Sequence, residues 1–413
     1  MVAFSKVVIA GGGIVGNSIA YYLAKSKPEI TIVLVDPVGI APGASSKAGG
    51  FLAKEWRDGT PLESMQRLGF ELHQELANDL GADNIDYRRL SCHNVVVGAT
   101  NNSANQDGHK MKNNTSKTKK NEFNMEWADL NIVDSSIMGD YDSIAQVHPR
   151  KLCEAMWKNV SKISADSELR KGKIVKAITE PVEKLNDDEL QTPTFSITGV
   201  ELEDGNIVET DALVVACGPW TEEARSWFPS GVNKLPEITG IKCHSMLVKP
   251  KSEKIFDQAV FFDSDDDKFL AEDASLEVYP RPDGDCYVNG FEGEEVVVQE
   301  SPGQETVSDT DINLMKEAMT LLSSELGNTD PHTKQACYWP ETPDGMPCIG
   351  PISGIDGAYV AAGHSVWGIL QGPITGKALV ELMLERKSKT LDLTDFHPNR
   401  FFVEDMHEYG REK

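Results

Sequence analysis

The residues best placed to do chemistry stand at two glycine-broken turns, one near each end of the chain. The first is Val7-Val8-Ile9-Ala10-Gly11-Gly12-Gly13-Ile14-Val15-Gly16, an apolar run closed by the spacing Gly11-x-Gly13-x-x-Gly16. Thr31-Ile32-Val33-Leu34-Val35 follows and ends at Asp36, 20 residues beyond Gly16. In that spacing Gly11 permits a tight turn, Gly13 lets the backbone approach a pyrophosphate, and Gly16 lets helix and strand pack closely. Asp36 is placed to take ribose hydroxyls, so the chemistry implied is capture of a dinucleotide.

The second turn separates a flavin from a nicotinamide. Tyr359-Val360-Ala361-Ala362 reads as a buried strand, Gly363 breaks it, and a helix begins around Gly368-Ile369-Leu370. The positive end of that helix is expected to face whatever the first turn holds. A reduced flavin, negative at N1 and O2, has a use for such a group, and a nicotinamide does not. A second Gly-x-Gly-x-x-Gly and a redox cysteine pair, the marks of a pyridine-nucleotide disulfide reductase, are missing from the sequence.

These turns need elements to hold them. Residues 6 to 36 form a βαβ unit, and Gly43-Ala44-Ser45-Ser46-Lys47-Ala48-Gly49-Gly50 is a small-residue segment suited to close ligand approach. Pro149 opens an amphipathic helix with His148 as its cap. Asp211-Ala212-Leu213-Val214-Val215-Ala216-Cys217-Gly218-Pro219-Trp220 is a buried strand ending in a glycine turn. Residues 238 to 287 carry short strands in an antiparallel pattern. Asp263-Ser264-Asp265-Asp266-Asp267 lacks the glycine and closing glutamate of a calcium loop and reads as a solvated turn, so no metal is expected.

Composition narrows the class. At 413 residues and 40% hydrophobic content, the chain suits two domains or one large domain with insertions. No apolar run reaches the roughly 18 to 20 residues of a bilayer span. A net charge of -25 repels nucleic acid and anionic lipid. Seven cysteines without a C-x-x-C pair, and a first strand with no room for a leader ahead of it, lead to the expectation of a cytoplasmic protein. Residues 101 to 121 are rich in Asn, Ser, Thr and Lys, a low-complexity insertion or a docking element for an unknown acidic partner.

Taken in order, the first βαβ, Gly43 to Ala53, the Pro149 helix, Ala216 to Trp220, Tyr279 to Gly290, Thr342 to Gly350 and Ala362-Gly363-His364 resemble the FAD-dependent oxidoreductase family that includes D-amino-acid oxidase, glycine oxidase and sarcosine oxidase. The resemblance implies an α/β fold: a discontinuous Rossmann-like FAD-binding domain (1-85, 146-235 and 336-413) with an inserted antiparallel β-sheet substrate domain (86-145 and 236-335). It implies that Gly11, Gly13, Ile14, Val15, Gly16 and Asp36 hold the ADP half of FAD. Ser45, Ser46, Lys47, Ala48 and Gly49 would run beside the pyrophosphate and flavin, Val175 would touch the adenine side, and Gly218 and Trp220 would flank the nucleotide. His364, Ser365, Val366, Trp367, Gly368, Ile369 and Leu370 would close over the isoalloxazine.

Departures from the family bear on the substrate. Val366 and Trp339 stand where glycine oxidases carry arginines near the substrate carboxylate, so a bidentate clamp is missing. Arg281 is either a replacement or a support for its strand turn. Glu277 suits a cationic amine or is a salt-bridged strand residue. Cys337 matches the spacing of a flavin-linking cysteine, or is an ordinary buried thiol. His364 tunes proton transfer or makes a structural hydrogen bond, and Lys47 points toward the cavity or elsewhere. The expected reaction is oxidation of a C–N bond of a small amine or N-substituted amino acid with dioxygen as acceptor. A dehydrogenase using a carrier, and a flavin-binding protein acting in trafficking or assembly, are the alternatives.

Overall fold

The computed structural model describes residues 4–98, 125, 127–182, 195–230, 235–264, 276–290, 293–298 and 300–402. The insertion at 101 to 121 and the turn at 265 to 267 lie outside them. A six-stranded sheet runs in the order Cys348–Pro351, Ala358–Ala362, Ala212–Val215, Lys6–Ala10, Thr31–Asp36, Glu168–Lys171. All its pairs are parallel except the first, where Cys348–Pro351 runs against Ala358–Ala362. Its four inner strands are buried almost without a break, as a sheet covered on both faces requires.

One face is covered by three helices, with Ile14–Ser26 in contact with both Pro149–Ile163 and Gly368–Glu385. His148 caps the second of them, its ring nitrogen accepting from the Lys151 amide, as the sequence suggests. Gly376 lets the first and third touch backbone to backbone, because a Cβ there would lie 2.6 Å from the Ser18 carbonyl carbon. Against this group packs the helix Glu63–Leu80, whose buried His73 donates from Nε2 to the Ile369 carbonyl at 2.9 Å.

The second sheet has eight strands. From Ile132–Gly139 it passes through Ser91–Val97, Gln258–Ser264, Leu276–Pro280 and Cys286–Gly290 to Thr239–Val248, which also pairs with Glu294–Val296 and Thr333–Glu341. It is antiparallel apart from the parallel pair Ser91–Val97 with Gln258–Ser264. Alternation assigns its two faces. Met246, Val248, Val260, Phe262, Val278 and Val288 turn one way and pack on the helix Asp309–Leu322. Phe261, Glu277, Tyr279, Tyr287, Cys243 and Cys337 turn the other way, toward the parallel sheet.

Two domain edges move from where the sequence reading puts them. Thr333–Glu341 stays paired with Thr239–Val248 along its whole length, so the chain leaves the second sheet after Glu341 and not at 336. Ile144–Gln146 belongs with Phe51–Ala53 and Arg88–Arg89 in a three-stranded sheet that straddles the edges at 85 and 145. Hydrophobic pattern marks strands but not which sheet takes them, which is why both edges fall inside or beside paired segments.

Two outcomes follow from this packing. Gly376→Ala, which at an open helix site gains up to about 1 kcal/mol, should here lose about 1–3 kcal/mol; an unchanged or raised denaturation midpoint would overturn the close-contact assignment. Burial lowers the pKa of His73 to about 4. The unfolded chain therefore takes up the proton first as pH falls from about 6.5, and stability drops by up to about 1.4 kcal/mol per pH unit through that window. Thermal unfolding between pH 6.5 and 5 should show a shallower pH slope in His73→Gln than in the parent protein.

Candidate functional site

A cleft of about 520 Å³ runs from the edge of the parallel sheet to the face of the second sheet. At its first end Gly11, Gly13, Ile14 and Val15 form the floor. Gly11 has φ +108, and a Cβ on it would lie 2.2 Å from the Ala216 carbonyl oxygen, so the turn accepts glycine alone. A Cβ on Gly16 would lie 2.0 Å from the Gly11 carbonyl oxygen. Gly16 therefore works by seating the helix against the turn and does not itself line the cleft.

Ser45 and Asp36 finish this end. The Ile14 amide donates to Ser45 Oγ at 2.9 Å, tying the segment Ala44–Lys47 to the helix start. Asp36 accepts from the Gly12 amide at 2.9 Å and from the Val38 and Gly39 amides at 2.8 Å each. Burial raises its pKa while those three amides favour the charged form. A carboxylate has about four acceptor sites, so one remains for a ligand hydroxyl in the cleft that Asp36 lines.

The wall beside Asp36 is Gly172, Lys173 and Ile174, and here the expectation for Val175 is corrected. Strand alternation buries Ile174 and leaves the Val175 side chain 40% exposed, away from the cleft. Gly218 and Trp220 line the cleft, and Trp220 Nε1 donates to the Glu300 carbonyl at 2.9 Å. The Glu300 carboxyl faces desolvation, yet hydrogen bonds from Lys242, Tyr338 and Thr306 hold its pKa down at about 2.

At the far end the helix Gly368–Glu385 starts at the cleft, preceded by His364, Ser365, Val366 and Trp367. Gly368 and Ile369 line the cleft with them, whereas Leu370 turns into the core at 1% exposure. Burial lowers the pKa of His364 to about 3, and its Nε2 is 2.9 Å from Thr375 Oγ1. The ring is thus neutral near pH 7 and braces the turn against Thr375. Trp367 Nε1 is buried without a partner among the described residues, a donor left over at the wall of the cleft.

Of the other catalytic candidates, Glu277 reaches the cleft and two do not. Lys47 Nζ is ion-paired to Glu305 and donates to the Ala336 carbonyl at 2.8 Å, so it clasps the second sheet. Ser46 likewise serves its own turn, donating to the Gly43 carbonyl at 3.2 Å. Arg281 lies behind Tyr287, its guanidinium 5.3 Å from that ring and its Nη2 donating to the Ala48 carbonyl at 2.9 Å. Both side chains are held by backbone carbonyls, a use of charge that sequence spacing does not disclose.

Around Glu277 stands a wall of rings. Phe51 stacks on Tyr279 at 4.9 Å, Tyr279 on Tyr287 at 5.9 Å, and Trp56 approaches Phe51 at 5.3 Å and Phe261 at 5.0 Å. Tyr279 donates its hydroxyl to Glu277 Oε2 at 2.6 Å. Burial raises the Glu277 pKa, against hydrogen bonds from Tyr279 and Asn289 that favour the carboxylate. Sequence reasoning missed Phe51, Trp56, Phe261, Tyr287 and Asn289. The signal was there in Tyr279 and Tyr287, which flank the Asp283-Gly284 turn and pair across it.

A glycine cradle closed to any Cβ, a carboxylate with a spare acceptor site, and an unpartnered indole N–H at the other end fit FAD laid along the cleft. The comparisons agree. A family model described as FAD dependent oxidoreductase (DAO) matches residues 6–382. The chain is 32% identical over 411 residues to C1F5.03c of Schizosaccharomyces pombe, named an oxidoreductase by inference, covering 94% of this chain and 97% of that one. It is 25% identical over 516 residues to TDA3 of Saccharomyces cerevisiae, named in the same way, covering 96% and 94%. Among solved structures, glycine oxidase from Geobacillus kaustophilus superposes with a TM-score of 0.70 at 18% identity, covering 96% of this chain and 98% of that one. L-Proline dehydrogenase from P. horikoshii gives 0.68 at 19% identity, covering 97% and 99%. With nearly the whole length matched in sequence and in fold, the chain belongs to the DAO family of FAD-dependent oxidoreductases.

Proposed function

We propose that this protein oxidises the C–N bond of a cationic amine or N-substituted amino acid, with dioxygen as the final acceptor and hydrogen peroxide as a product. The observation that carries the reading is Glu277, set among Phe51, Trp56, Phe261, Tyr279 and Tyr287 on the cleft wall. Ring faces and a carboxylate together attract an alkylated ammonium, each well-placed ring adding about 0.5–2 kcal/mol. Bound FAD would supply the hydride acceptor. The protein's part is to hold the amine, exclude water and take its proton.

The cation inventory favours an amine over a clamped carboxylate. Lys173 is the one lysine or arginine among the described lining residues, at the Asp36 end, and its ammonium is 2.7 Å from Glu223. Val366 and Trp339 line the cleft at the positions where glycine oxidases carry arginines. Glu277, the carboxylate set among the rings, repels an anionic substrate there. An odd number of cysteines without a C-x-x-C pair remains the support for placing this reaction in the cytoplasm.

An anaerobic screen of the flavin-loaded protein tests the proposal. Secondary and tertiary amines should bleach the flavin absorbance, and Glu277→Gln should raise KM for them about 10- to 100-fold, the scale of a lost charge-assisted contact. Bleaching by hydroxy acids with no response to any amine would overturn the substrate class. In stopped flow, air should reoxidise the reduced protein within the turnover time; slow reoxidation would move the assignment to a dehydrogenase with a carrier acceptor.

A further inference from the structure

Two thiols meet on the cleft wall. Cys243 and Cys337 are register partners on the antiparallel strands Thr239–Val248 and Thr333–Glu341. Their sulfurs are 3.4 Å apart, and both side chains line the cleft on the same face as Tyr287 and Asn289. The other cysteines differ. Cys92, Cys153, Cys286 and Cys348 are buried in packed cores, and Cys217 donates its thiol to the Ala10 carbonyl at 3.5 Å.

We propose that Cys243 and Cys337 are an oxidative modification site, closing to a reversible disulfide inside the cofactor cleft. The backbone already allows it. Directly opposed residues on antiparallel strands have Cα atoms about 4.5–5.5 Å apart, inside the roughly 4.4–6.8 Å range of disulfides. Bringing the sulfurs from 3.4 Å to a bond of about 2.05 Å takes side-chain rotation and no strand movement. Both residues are under 10% exposed, at 7% and 6%, so the cleft is the way in for a small oxidant.

The oxidant is a hydroperoxide, hydrogen peroxide in the simplest case. One thiol gives up its proton and attacks a peroxide oxygen; the O–O bond breaks, the released hydroxide takes that proton as water, and a sulfenic acid remains. The second thiol attacks the sulfenic sulfur, the S–O bond breaks, and the hydroxide leaves with the second thiol's proton as a second water. Two thiols and one peroxide thus become one disulfide and two waters, the sulfurs losing the two electrons that the peroxide gains. Peroxide arising within the cleft rests on the dioxygen reading above, whereas added peroxide tests the thiol pair without it. A flavin bond at Cys337, the other role open to that residue, uses the same sulfur and is incompatible with the disulfide.

Mass spectrometry decides between them. The flavin-loaded protein is treated with hydrogen peroxide, quenched with an alkylating agent under denaturing conditions, and mapped by peptide. Two of the seven thiols should escape alkylation, the peptides carrying Cys243 and Cys337 should be joined, and a reductant should restore both. Cys243→Ala should leave Cys337 as a sulfenic acid that a dimedone probe captures. Full alkylation of both residues after peroxide, a crosslink between other cysteines, or flavin retained on the Cys337 peptide would overturn the proposal. Loss of amine turnover in the same preparation would bear on the function and leave the thiol count unaffected.

Discussion

The structure depends on how closely backbone can approach backbone around the first glycine turn. Gly16 rests on the Gly11 carbonyl, and Gly11 rests on the Ala216 carbonyl, at distances no side chain permits. That contact seats the start of helix Ile14–Ser26 against the parallel sheet, where its free amides and positive end collect at the cleft. Gly376 then lets helix Gly368–Glu385 lie against the same helix. Two turns separated by some 350 residues in the chain open onto one cavity because both helices are anchored to a common neighbour.

The second sheet completes the cavity through the period of two. The strands Thr239–Val248, Gln258–Ser264, Leu276–Pro280 and Cys286–Gly290 each give one row of side chains to the core under helix Asp309–Leu322 and one row to the cleft, so a single register fixes both. Glu277 lies between Phe261 and Asn289 across neighbouring strands, and Tyr279 faces Tyr287 one step further on. A slip of one residue would send the carboxylate into the apolar core and a valine to the cleft. The same register brings Cys243 opposite Cys337.

What the sequence discloses follows from which forces are local. Gly11, Gly13, Gly16 and Asp36 act within one βαβ unit, so their spacing reports their geometry, and the helix expected near Gly368 begins there for the same reason. Val175 and Leu370 go astray by one residue of alternation or helical phase, which a motif carried over from relatives does not fix. Lys47 and Arg281 are claimed by the Ala336 and Ala48 carbonyls, distant in the chain, and nothing near either residue in sequence announces that. The ring wall is the hardest to foresee. Phe51 and Trp56 come from the first domain while Phe261, Tyr279 and Tyr287 come from the sheet, so the cluster exists only once the two are docked.

Proton balance ties the site together on the proposed reading. An amine gives up hydride from the adjacent carbon only when its nitrogen lone pair is free to form the imine, so an ammonium that binds must first lose a proton. His364 cannot serve near neutrality, because burial keeps its pKa near 3 and its Nε2 faces Thr375. Lys47 and Arg281 are turned away. Glu300 is held at about 2 by its three donors and is too weak a base to compete. Asp36 and Glu223 stand at the Lys173 end of the cleft, tied to backbone amides and to that lysine, which leaves Glu277 at the rings, its pKa raised by burial and thereby brought closer to that of the proton it must accept. The same carboxylate that draws the cation among the rings is then the group that discharges it.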